Sequence, residues 1–250
     1  MKIAMITGAS SGFGREFVRQ IDSLYKELDE IWVVARRVER LHELQSRTMK
    51  NLRVIGGELV EEEIYHEISE ALSDENPNIR MLVNAAGFGK TGTVEEIDEK
   101  TQLEMIDTNC RSLTRMTKIC LPYLTKGSRV VNIASAAAFC PQPSFAVYAA
   151  TKSYVLSFSR ALRAELEDRE IYVTAVCPGP AKTEFFDIAG MSANILKKMT
   201  MAQPEKVVKQ ALIDAKNRKE ISVYGGAMKG ARVLTKIIPH KIAVEVMKQF

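Results

Sequence analysis

Ile3-Ala4-Met5-Ile6-Thr7-Gly8-Ala9-Ser10-Ser11-Gly12-Phe13-Gly14 is the stretch that decides the architecture. Its four opening apolar residues fit a strand covered on both faces. Gly8, Gly12 and Gly14 then let the backbone turn tightly and approach a ligand without a Cβ clash. A helical pattern begins at Phe13 and runs to Leu28. The first amides of such a helix have no intrahelical acceptor and point outward. Strand, glycine turn and open helix start, in this order, make an anion site suited to a pyrophosphate.

Working outward, the same alternation repeats. Further apolar runs lie at Ile31 to Ala35, Leu52 to Ile55, Met81 to Val83, Arg129 to Ile133, Ile171 to Val176 and Ile221 to Tyr224. Helical patterns separate them, at Val38 to Thr48, Glu61 to Leu72, Lys100 to Leu124, Tyr148 to Glu167 and Pro204 to Ala215. Strands alternating with helices imply parallel crossovers, and continuous apolar strands imply a sheet covered on both sides. The expectation is an α/β fold: a Rossmann-type, doubly wound, seven-stranded parallel sheet with helices on both faces. No linker or fixed repeat interrupts the pattern, so residues 1–250 read as a single domain. Residues 179–203 form a long connection of the kind that serves as a binding loop. Residues 225–250 extend past the last strand.

The composition is that of an ordinary soluble protein, with 46% hydrophobic and 26% charged residues among 250. A net charge of +4 is too mild for a nucleic-acid binder. Cys110, Cys120, Cys140 and Cys177 are scattered, with no metal spacing, and read as free thiols in a reducing compartment. His42, His66 and His240 are dispersed too, so no metal site is expected. No secretory leader or spanning apolar run is visible, which makes the expected location cytoplasmic.

The second strand ends in Val34-Ala35-Arg36-Arg37. A nicotinamide site that prefers NAD places Asp or Glu there, for the ribose 2′-hydroxyl. Two guanidinium groups suit a 2′-phosphate instead. The expected cofactor is NADP(H), with Arg36 carrying most of the discrimination and Arg37 and Ser10 beside it.

Tyr148-Ala149-Ala150-Thr151-Lys152 puts a phenol and an ammonium group on one helix face, four residues apart. A free phenol has a pKa of about 10 and is a poor base at neutral pH. A cation about 4 Å away favours the phenolate by about 4 kcal/mol at an effective dielectric of about 20, or nearly three pKa units. The pairing therefore reads as a device for lowering Tyr148 toward neutrality, so that it can give or take a proton. Ser135 stands thirteen residues earlier, just past the fifth strand.

The spacing Gly8-x-x-x-Gly12-x-Gly14, taken with Ser135, Tyr148 and Lys152, resembles the short-chain dehydrogenase/reductase family in its "classical" branch, over residues 1 to about 224. The resemblance implies that Tyr148 protonates a carbonyl oxygen as hydride reaches carbon, and that Ser135 holds that oxygen. It implies that Lys152 binds the nicotinamide ribose and that Asn109 holds a water in a proton relay. It places Gly8, Ser10, Ser11, Gly12, Phe13 and Gly14 around the pyrophosphate. Glu58 and Leu59 fall beside the adenine, with Glu58 where the family often has Asp. Asn84, Ala85, Ala86 and Gly87 line the cleft, and Pro178, Gly179 and Thr183 meet the nicotinamide end.

Three loops are expected to ring the substrate, from Phe88 to Thr93, Ala136 to Ala146 and Glu184 to Thr200. Phe88, Phe139, Phe145, Phe185 and Phe186, with Met191, Ile195 and Leu196, suggest an apolar pocket. The reading is an NADP(H)-dependent oxidoreductase (EC 1.1.1.-) that interconverts a carbonyl and a secondary alcohol on a ketone, hydroxysteroid or 3-oxoacyl compound. The alternatives are a non-catalytic NADP(H)-binding regulator and an epimerase or dehydratase. A small-molecule substrate and a homodimer or homotetramer are expected. Residues 225–250 have three readings, in descending order: a lid over the cleft, a subunit contact, or a membrane-surface contact suggested by basic residues among apolar ones.

Overall fold

A computed structural model describes residues 1–190 and 201–248. Met191, Ile195 and Leu196 of the expected substrate loop lie outside the described residues. The strands are β1 (Lys2–Thr7), β2 (Glu30–Ala35), β3 (Asn51–Gly56), β4 (Asn78–Asn84), β5 (Leu124–Ile133), β6 (Tyr172–Val176) and β7 (Ile221–Ser222). They form one seven-stranded sheet in the order β3-β2-β1-β4-β5-β6-β7. Every pairing is parallel. The winding reverses between the neighbours β1 and β4, and a crevice at such a switch point is where ligands bind in open α/β sheets.

Side chains alternate across each strand. From β1, Ala4 and Ile6 join one core with Phe17, Val18 and Ile21 of α1 (Gly12–Leu24). Leu41 of α2 (Val38–Gln45) and Val208 and Leu212 of α8 (Pro204–Lys216) complete that side. Ile3 and Met5 face the second core. Ile68 and Leu72 of α3 (Glu63–Glu75), Met116 of α5 (Ser112–Cys120) and Leu162 of α6 (Ala146–Glu165) pack there. The sheet is thus doubly wound, as its continuous apolar strands require.

Three local departures matter. The pattern from Lys100 to Leu124 predicts one helix, but the chain divides it. After α4 (Glu99–Ile106), residues Asp107–Arg111 form a wider π turn before α5 begins. Pro122, in the turn Leu121–Tyr123, then stops the helix and releases Leu124 into β5. At the sheet edge β7 holds only Ile221 and Ser222, and the backbone leaves through Gly225, whose φ is 86°. Beyond it lie α9 (Gly226–Ile237) and α10 (His240–Met247); the short α7 (Phe185–Ala189) follows β6.

Candidate active site

A cleft of about 610 Å³ opens at the carboxyl ends of the strands. Gly8, Ser10, Ser11, Gly12 and Phe13 form part of its wall. Gly8 has φ 67°, and a Cβ there would sit 2.7 Å from the Ala86 amide nitrogen, so only glycine allows the β1 turn to press on the end of β4. Gly14 is not on the wall; its Cα packs against the Gly8 carbonyl. The α1 start carries no side-chain cap and no acidic residue in its first turn. By contrast, α4 is capped by Asp98, which accepts from the Thr101 amide at 2.9 Å. The α1 amides are left available to a ligand anion, and the glycine cradle leaves room for one.

Arg36, Arg37, Glu58 and Leu59 occupy the far end of the same wall. Arg36 is exposed and lies 3.7 Å from Glu58. Arg37 is more engaged. Its Nε donates to Ser10 Oγ at 3.4 Å and its Nη1 donates to Glu184 at 2.8 Å. Arg40 donates to the other Glu184 oxygen at 2.7 Å. These two guanidinium groups hold the Glu184 carboxyl below the usual range. Neither Arg40 nor Glu184 stood out in the sequence, because nothing local links residues so far apart.

Ala85, Ala86, Gly87, Pro178, Gly179 and Thr183 line the middle of the cleft. Asn84 sits beneath the wall, donating to Asn132 Oδ1 at 2.9 Å and to Thr117 Oγ1 at 3.2 Å. It ties β4 to β5 and does not face the cavity.

Tyr148, Lys152 and Ser135 converge on the opposite wall. The Tyr148 ring stacks on Phe145, with centroids 4.2 Å apart, and lies 5.3 Å from the Phe185 ring. Gly89 backs it: a Cβ there would come within 2.7 Å of the Tyr148 ring and 3.0 Å of Phe145. Ser135 Oγ accepts from the Ala137 amide at 3.1 Å, and the hydroxyl also faces the Tyr148 phenol and favours its ionised form. Lys152 Nζ lies 5.7 Å from the Tyr148 ring centroid and donates to the Ile133 carbonyl at 2.9 Å.

Asn109 lies in the π turn, buried behind the wall. Its Oδ1 accepts from the Phe88 amide at 3.0 Å. Its Nδ2 donates to the Phe88 carbonyl at 2.9 Å and to Thr151 Oγ1 at 3.0 Å. Asn109 thus ties the loop after β4 to the residue before Lys152. The wider turn lets one side chain reach both, a use of π geometry that recurs at functional sites.

Burial overturns one expectation. The spacing predicts that Lys152 draws the phenol toward neutrality, yet Tyr148 is raised to about 12 and Lys152 lowered to about 8. Desolvation is the largest cause for both groups and disfavours both charged forms. The Ser135 hydrogen bond opposes it for Tyr148. In the open cleft the pair is therefore poised as phenol and weakly held ammonium.

Phe88, Phe145, Phe185 and Phe186 line the cavity, together with Gln142 and Ile188. Phe139, expected beside them, turns away. It packs against the core cluster that holds Cys177 and Val223, as Met228 of α9 does, because the short turn Ala136–Phe139 presents that side chain away from the cleft. Cys140 is half-buried and off the wall, and burial raises its thiol. No group of three or more metal-ligating side chains occurs among the described residues.

A family model described as short chain dehydrogenase matches residues 2–191. The chain belongs to the short-chain dehydrogenase family. Sulfoacetaldehyde reductase 2 of Chromohalobacter salexigens is 34% identical over 192 residues, covering 73% of this chain and 74% of that protein. Serine 3-dehydrogenase of Agrobacterium fabrum is 34% identical over 183 residues, 72% of each chain. Among solved structures, a short-chain dehydrogenase from Sphingobium yanoikuyae in complex with NADPH superposes with a TM-score of 0.79 at 25% identity, over 96% of this chain and 97% of that one. Family membership makes the chain an oxidoreductase, built on the doubly wound sheet described above.

Proposed function

We propose that this oxidoreductase interconverts a carbonyl and a secondary alcohol with NADP(H), on a largely apolar small molecule such as a ketone, hydroxysteroid or 3-oxoacyl compound. One observation carries the reading: Tyr148, stacked on Phe145 with the tilted Phe185 ring beside it, lines the same cleft as Ser135, Lys152 and an uncapped helix start. A dinucleotide held by Gly8, Ser11, Gly12 and the α1 start would supply or accept the hydride. Arg36 and Arg37 line the same cleft and offer guanidinium groups suited to a 2′-phosphate, and two similar solved structures contain NADPH and NADP+.

The chain's residues do the rest. In reduction Tyr148, held as a phenol by burial, donates its proton to the developing alkoxide. Ser135 hydrogen-bonds the same oxygen and fixes its position. Lys152 binds ribose hydroxyls and favours the phenolate that remains. Asn109 positions Phe88 and Thr151 around them, and is the candidate holder of a relay water. The aromatic wall excludes water. Residues 1–250 act as one cofactor-binding and catalytic domain, with 179–203 as its substrate loop.

The names of the relatives favour a second substrate class. Sulfoacetaldehyde and serine are small and charged, whereas the wall here is largely aromatic. A panel of apolar ketones, hydroxysteroids, 3-oxoacyl thioesters and sulfoacetaldehyde, assayed with NADPH and with NADH, separates the cases. NADPH loss with an apolar ketone is expected. Turnover of the small anion alone would remove the proposed substrate class and leave the reaction standing. Cofactor binding without turnover of anything would leave a regulator.

A further inference from the structure

We propose that α9 and α10 dock the protein on an anionic lipid surface. The first observation is electrostatic. Residues 225–250 hold five lysines and arginines and one glutamate, a net of +4. The whole chain is also +4, with 35 basic and 31 acidic residues, so residues 1–224 balance at 30 of each. The entire net charge of the protein sits in this segment.

The second observation is the way α9 faces. An amphipathic helix normally turns its apolar stripe to the core. Here Met228, Ala231, Arg232 and Thr235 are the half-buried side, with Met228 Sδ filling the space beside Gly179. Val233, Leu234 and Ile237 point to solvent, 58, 55 and 74% exposed, bordered by Lys229 and Lys236. On α10, Ile242 and Val246 form a second exposed pair, near Lys241 and Lys248. Apolar residues edged by lysines suit the boundary between acyl chains and anionic headgroups.

The other two occupants fit less well. None of the described residues of 225–248 lines the cleft, which argues against a lid. A second copy docked through the same faces would bring two +4 segments together, which charge repulsion opposes. An anionic surface complements the charge and accepts the apolar stripe. The proposal does not depend on the reaction assigned above.

Co-flotation of the full chain with vesicles tests it. The vesicles are phosphatidylcholine alone or phosphatidylcholine with phosphatidylglycerol, at low and high salt. At about 1 kcal/mol per basic residue near the surface, binding to the anionic vesicles should exceed binding to the neutral ones by more than about tenfold, and salt should weaken it. Lys229→Glu with Lys236→Glu should lower it by about tenfold or more. Ile237→Ser and Ile242→Ser should lower it independently of charge. All four side chains are exposed, and an unchanged circular-dichroism melt verifies each fold. No flotation with anionic vesicles, or flotation undiminished in the double lysine variant, overturns the proposal. So does a dimer in sedimentation velocity that Ile237→Ser splits, because the stripe would then be a subunit contact.

Discussion

The two ends of the cleft hold their charged groups by opposite means. At the Tyr148 end, the phenol and Lys152 are buried, stacked or hydrogen-bonded into single positions, and desolvated. At the Arg36 end, Arg36, Arg37, Arg40, Glu58 and Glu184 are exposed or half-exposed and paired with one another. Burial fixes geometry and makes each change of protonation costly. Exposure makes each pair weak and exchangeable. Proton transfer needs the first property, since a misplaced acid loses the reaction. Capture and release of a phosphate need the second.

The sharpest way to break this contrast is Tyr148→Phe. The ring keeps its stack on Phe145, and only the proton is lost. Carbonyl reduction should fall by at least about a hundredfold, within the range for general acid–base catalysis, while NADPH binding by fluorescence titration stays the same. A variant that keeps most of its turnover would mean that the proton comes from elsewhere.

Lys152→Met tests the cost of burial directly. In the folded chain Lys152 titrates at about 8, against an ordinary 10.5. Between these values the unfolded chain binds a proton that the folded chain has lost, so stability rises with pH across that window. Below it both states are protonated and the folded one bears the full penalty, up to about 3 kcal/mol. Tyr148, raised to about 12 from 10.0, acts in the other direction above pH 10. Lys152→Met should therefore be inactive, more stable than the parent near neutral pH, and without the rise above about pH 8. Urea titrations at several pH values measure this; a variant less stable at neutral pH would show that the ammonium group is held favourably.

At the other end, Arg36→Glu should weaken NADPH use by about tenfold, as expected for one charge-assisted contact. NADH use should change much less. Equal losses with both coenzymes would contradict the 2′-phosphate assignment.

The parts of this arrangement that were legible in the sequence are those set by short-range periodicity. Gly8 to Gly14 and the spacing of Tyr148 and Lys152 are local patterns, and the fold brings them to one cleft. The seven strands were readable because their apolar runs are continuous. The π turn was not, because Asp107–Arg111 has the composition of the helix around it, and only tertiary bonds from Asn109 to Phe88 and Thr151 distinguish it. Phe139 and Phe145 look alike in a loop, and their opposite directions follow from the turn between Ser135 and Cys140. The sign of the Tyr148 shift was missed because spacing reveals a neighbouring cation but not how thoroughly both groups are desolvated.

The smallest effect concerns Glu184, which the sequence did not mark. Its carboxylate sits on Arg37 and Arg40, and Arg37 is one of the two groups proposed above for a 2′-phosphate, beside Ser10. On that proposal the two anions would compete for Arg37, and Glu184 would have to yield it to NADPH. Exposed pairs of this kind contribute up to about 1 kcal/mol each. Glu184→Gln should accordingly lower the NADPH dissociation constant by a few-fold and leave that of NADH nearly unchanged, measured by titration calorimetry. If NADPH binding weakens instead, Glu184 acts as a strap that helps hold the bound cofactor, and the exposed end of the cleft is less exchangeable than its solvent access implies.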